Sequence, residues 1–148
     1  MTTREEAAVD RFTNGYNCAQ SVFSAFSEDF GLDASIALKI ANGFGGGVRC
    51  GEVCGAVSGA IMAISLKYGF HTEKDFEQKA VCNAKAYAFI EKFKAENGSM
   101  ICRELLNTDI RTPEDFTTDE AVAVYRVACP KFVASAVRIL ENMEYLVP

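Results

Sequence analysis

Val53-Cys54-Gly55-Ala56-Val57-Ser58-Gly59-Ala60-Ile61-Met62-Ala63-Ile64-Ser65-Leu66 contains no charged residue. At 14 residues the run is shorter than the ~20 needed to cross a bilayer, so membrane insertion is not expected. It reads as a central core helix over about 54–68, ended by Gly69. Gly55, Gly59 and Ala63 recur every fourth residue and leave one side of that helix nearly bare. Each glycine costs about 1 kcal/mol against alanine in a helix interior. Close approach by a neighbouring helix is the natural return. A ligand approaching the bare side is the rival reading.

Helical spacing also governs the chain on either side. Upstream, a short helix is expected over roughly 3–12, broken at Asn14-Gly15-Tyr16-Asn17. A second fits 18–29, with Val22, Phe23, Phe26 and Phe30 on one face and Gly31 as its stop. Asp33 caps a third, containing Ile36, Leu38, Ile40 and Ala41, that ends at Asn42-Gly43. Downstream, Thr72 followed by Asp75 resembles a capping box opening a long helix over 73–96, stopped by Asn97-Gly98. In that helix Cys82, Ala86, Phe89 and Phe93 form a core stripe. A short helix follows at 100–106, then a loop over 107–117 containing Pro113. Thr117 or Thr118 caps a helix to about 128, Pro130 kinks or restarts it, and the last helix runs to about 144. No stretch shows the alternation of a strand. The expectation is one all-α domain of six or seven helices.

Length and composition agree. The chain has 148 residues, 49% apolar and 24% charged, enough for one ordinary core. Asp and Glu number 20 against 15 Lys and Arg, a net charge of −5 that argues against nucleic-acid binding. The N-terminal MTTREEAAVDRF has no apolar signal region, so a cytoplasmic location is expected. In that reducing compartment six cysteines point to metal ligands or redox thiols before structural bridges. The single histidine, His71, excludes a two-histidine metal site within one chain and reads as a surface loop residue. The acidic residues Asp109, Glu114, Asp115, Asp119 and Glu120 read as a solvated loop and helix start.

No C-x-x-C motif is present, which removes the thioredoxin-like and common zinc-ribbon patterns. Position along the helices is more informative. Cys18, Cys54, Cys102 and Cys129 each fall at an expected helix N-terminus, where free N–H groups and the helix dipole favour thiolate. Placed so, their pKa values are expected to fall toward neutrality. The bland alternative is that each is a small buried apolar residue. Cys50, four residues before Cys54, reads as an additional ligand, a resolving thiol or an incidental loop residue.

Cys50 belongs to Gly43-Phe44-Gly45-Gly46-Gly47-Val48-Arg49-Cys50-Gly51. Consecutive glycines can form an anion-binding nest, and Arg49 adds positive charge. The pattern is neither G-x-G-x-x-G nor a Walker A loop, so nucleotide binding is not indicated. Gly45, Gly46 and Gly47, with Gly55 beyond them, instead suit close backbone passage beside a sulfur-containing site, with N–H groups available to it.

These segments carry a resemblance. Asn17-Cys18-Ala19, the glycine loop leading to Cys54-Gly55-Ala56-Val57-Ser58-Gly59, Gly98-Ser99 with Cys102-Arg103-Glu104-Leu105-Leu106, and Cys129-Pro130 resemble the C_GCAxxG_C_C family of redox-active proteins. The likeness extends over roughly residues 14–145. It implies a small, mostly helical protein whose redox site is Cys18, Cys54, Cys102 and Cys129; Cys50 and Cys82 fall outside the shared pattern. A similar four-cysteine domain occurs in split-Soret cytochromes, where an iron–sulfur cluster has been proposed, but this chain lacks their haem motifs.

Three functions follow as expectations. The first is electron transfer through an iron–sulfur cluster, [2Fe–2S], on the four cysteines, with a redox partner protein. The second is thiol–disulfide chemistry by cysteine pairs, needing no cofactor. The third is a structural zinc site in an interaction module. The small-residue helix and the 11 Phe suit either an internal core or a homodimer face.

Overall fold

A computed structural model describes residues 1–143 and Leu146. The chain folds into α1 (Thr3–Thr13), α2 (Cys18–Ser27), α3 (Ala34–Ala41), α4 (Gly55–Tyr68), α5 (Phe76–Asn97), α6 (Cys102–Leu105) and α7 (Asp119–Asn142). Short 3-10 turns follow α2 and α3 and precede α7. Among the described residues there is no strand, and the β-pairing is an isolated antiparallel bridge between Val53 and Ile101.

Local chemistry sets the helix starts. The Thr2 hydroxyl accepts from the Glu5 N–H, Asp33 accepts from Ser35, and Thr118 accepts from Ala121. Asn17 and Gln20 form a reciprocal capping box at the head of α2. Gly31 and Gly98 stop their helices in the left-handed conformation, at φ 86° and 88°.

Two helix boundaries differ from the sequence reading. Asp75, not Thr72, caps α5 by accepting from the Gln78 N–H, so the helix begins at Phe76. More consequentially, α7 does not break near 128: it runs unbroken from Asp119 to Asn142 with Pro130 inside it. Proline there forfeits the hydrogen bond to the Arg126 carbonyl. Burial of Val133, Val137, Ile139 and Leu140 on the same helix holds it together across that defect. The sequence-predicted end near 144 lies outside the described residues.

The bare side of α4 is filled by α2. A Cβ added at Gly59 would lie 2.6 Å from the Ala19 carbonyl oxygen, a contact only glycine permits. Helix α2 also packs on α3, α1 packs on α7, and α5 lies across α4 and α7. One continuous core results, with Phe26, Ile64, Phe89, Phe93 and Leu140 fully buried. In the expected α5 stripe, Phe89 and Phe93 are buried while Cys82 is half-buried against the core. On α3, Ala37 and Ala41 face inward, and Ile36 and Ile40 are exposed. Among the described residues no helix is long and apolar enough to cross a membrane.

Candidate functional site

Three of the four marked cysteines stand at helix starts. Cys18 is the first residue of α2, Cys54 is the cap residue of α4, and Cys102 opens α6. Cys129 does not: it lies in the middle of α7, because that helix passes through Pro130. The Val53–Ile101 bridge joins two of these starts. The Cys54 N–H donates to the Met100 carbonyl at 2.8 Å, and the Cys102 N–H donates to the Glu52 carbonyl at 2.6 Å.

All four line one cavity of about 690 Å³. Each is buried, and all four thiols are free. Cys50 is not in the cavity lining; its exposed thiol turns toward the Gly47 carbonyl, 3.6 Å away. Cys82 on α5 is likewise outside it. His71 is exposed and takes no part.

The sulfurs feel one another. Cys18 is acted on by the other three, Cys102 by Cys54 and Cys129, and Cys54 by Cys129. The Cys18 thiol is held well above its ordinary pKa, first by its hydrogen bond with Cys129 and then by burial and the other three sulfurs. Burial pushes Cys54 to about 12, although the Ala56 and Val57 N–H groups at the head of α4 pull the other way without closing a capping hydrogen bond. Burial and repulsion from Cys54 and Cys129 raise Cys102 to about 12, against the pull of Arg49 and Arg103. The fall toward neutrality expected from helix starts is thus overturned for these three. A helix end contributes ~0.3–1 kcal/mol, less than one pKa unit.

The family model described as "Putative redox-active protein (C_GCAxxG_C_C)" matches residues 16–143. The chain belongs to the C_GCAxxG_C_C family. No curated protein and no solved structure matches it.

The glycine loop of this C_GCAxxG_C_C protein is a left-handed turn. Gly46, Gly47, Val48 and Arg49 have φ of 64°, 63°, 57° and 62°, closed by the Glu52 N–H on the Gly47 carbonyl at 3.0 Å. Val48 and Arg49 are not glycine, so both store strain of about 1–2 kcal/mol. Gly46 and Gly55 line the cavity; Gly45 and Gly47 do not. Their smallness is still used. A Cβ on Gly45 would collide with the Asn17 side chain. One on Gly47 would lie 2.8 Å from the Cys102 Cβ, and one on Gly55 3.1 Å from the Cys18 Cβ.

Among the described residues, no three His, Cys, Asp or Glu side chains are arranged to grasp a single metal ion. The four sulfurs surround a space instead of a point. The lining also contains residues that sequence reasoning missed, notably Tyr125, Arg126 and Phe132. These stand four and three residues before Cys129 and three after it, on one face of an unbroken helix. Helical spacing about Cys129 was the signal, hidden by the break expected at Pro130.

Proposed function

We propose that this protein transfers electrons through an iron–sulfur cluster bound by Cys18, Cys54, Cys102 and Cys129. The observation that carries the reading is the convergence of four thiols, from four separate helix regions, on one cavity whose lining among the described residues has no carboxylate or histidine. An all-thiol donor set suits soft metal–sulfur chemistry.

When bound, a cluster would supply a one-electron couple. The chain's own part begins with the thiols. Cys18, Cys54 and Cys102 hold their protons when no cation faces them, and each must release one to become a ligand. Arg49 and Arg103 stabilise charge on Cys102, and the Ala56 and Val57 N–H groups stabilise it on Cys54. Burial keeps water from the sulfurs.

Anaerobic purification with iron and acid-labile sulfide analysis tests this. Equal amounts of iron and sulfide are expected in the native chain, lost in Cys54→Ala and retained in Cys50→Ala. Iron and sulfide absent from anaerobically made protein would sink the proposal.

One observation favours a second reading. Cys129 is the neighbour that acts most strongly on the Cys18 thiol, and both line the cavity. Oxidation of that pair to a disulfide releases two protons and two electrons to an acceptor. Mass spectrometry of oxidised, alkylated protein separates the two: a Cys18–Cys129 disulfide that cycles reversibly in iron-free protein supports this reading.

A further inference from the structure

The thiols form the floor of a cavity that has other walls. At about 690 Å³ it falls within the ~300–1,000 Å³ of pockets that hold small organic molecules. Aromatic side chains line it from several elements. Tyr16 comes from the turn before α2, Phe116 from the 3-10 turn before α7, and Tyr125 and Phe132 from α7.

Its charge is one-sided. Among the described residues the charged lining is Arg49 and Arg126, with no Asp or Glu, in a chain of net charge −5. A concave surface carrying only positive charge concentrates anions. Neither arginine forms an ion pair among the described residues, whereas Arg4, Arg103, Arg111 and Arg138 all do. The Arg49 guanidinium lies 4.7 Å over the Phe116 ring, which fixes a cation beside an aromatic face. Arg49 is carried there by the strained left-handed turn, and backbone strain of this kind collects at binding sites.

We propose that the outer part of this cavity binds a small organic anion with a flat conjugated body, its charged group met by Arg49 and Arg126 and its ring by Phe116 and Tyr125. None of these residues is a sulfur ligand, though Arg49 also acts on Cys102 and the thiols share the cavity.

The test is titration of the full chain with naphthalene-2-sulfonate, followed by calorimetry. The two halves of the probe, 2-naphthol and methanesulfonate, are titrated separately. One saturable site is expected, with each half binding at least about tenfold more weakly than the whole. Arg126→Gln and Phe116→Leu should each weaken the whole probe by about tenfold while leaving the thermal midpoint within a few degrees. Arg126 is exposed and has no ion pair among the described residues, so its substitution should leave folding intact. The proposal is overturned by the absence of a saturable site, by 2-naphthol binding as tightly as the sulfonate, or by unchanged affinity in both variants. Iron and sulfide measured on the same samples report the cluster separately. Normal metal content without probe binding overturns this site alone, and probe binding without metal overturns the cluster alone.

Discussion

Val53 and Ile101 pair across a single antiparallel bridge, and that pairing sets Cys54 beside Cys102. Each cysteine immediately follows a bridging residue, and each donates its N–H to the opposite segment. The bridge therefore joins two cavity cysteines 48 residues apart in sequence. Replacing either partner by glycine removes the side-chain pair and loosens the backbone. Val53→Gly and Ile101→Gly should each lower stability by about 1 kcal/mol, with a coupling of ~0.2–1 kcal/mol in the double variant. Urea denaturation of the four-member cycle measures it. Additive losses would mean that the bridge does not hold these segments together.

Gly59 is where α4 meets α2. The 2.6 Å approach of an added Cβ to the Ala19 carbonyl oxygen is to backbone, which cannot turn aside as a side-chain end could. Gly59→Ala should therefore cost ~1–3 kcal/mol despite alanine's better helix propensity. An exposed-helix control, Ala84→Gly on α5, should cost about 1 kcal/mol by propensity alone. A stabilised Gly59→Ala in thermal melts would contradict the close approach.

The helices were legible because their signals are local: the Asn17, Asp33 and Thr118 caps, the Gly31 and Gly98 stops, and the uncharged run of α4. Pro130 was misread because its effect depends on distant contacts. The buried residues that carry α7 across it belong to a core that forms only on folding. That error hid the cavity face of α7, since Tyr125, Arg126 and Phe132 share Cys129's side only if the helix is continuous. The four cysteines singled out by position do line one cavity, while their electrostatics differ from the reading. Burial among four sulfurs outweighs the helix ends, and burial is a property of tertiary packing. The glycine run pointed to close backbone passage, but the extension of the left-handed turn through Val48 and Arg49 has no sequence signal.

Val48 offers a direct reading of the strain in that turn. It is a β-branched residue at φ 57°, exposed to solvent, so its side chain gives up little burial if replaced. Asparagine tolerates the left-handed region without glycine's extra freedom in the unfolded chain. Val48→Asn should raise stability by about 1 kcal/mol and Val48→Gly by less, seen as higher urea midpoints at constant slope. A loss in both variants would mean that the valine side chain holds the turn in place.

The buried thiols give the iron-free protein an alkaline limit. Cys54 and Cys102 titrate near 12 in the folded chain against 9.0 as ordinary thiols, and Cys18 is also raised. Below pH 9 both folded and unfolded chains keep these protons, so their contribution to stability is fully present. Between 9 and 12 the unfolded chain releases protons that the folded chain retains, and stability falls as pH rises. Denaturant titrations across that range should show the decline. Cys54→Ala should reduce its slope by up to about one proton per chain. A slope unchanged by Cys54→Ala would assign the alkaline loss to other groups and place the Cys54 thiol in contact with water.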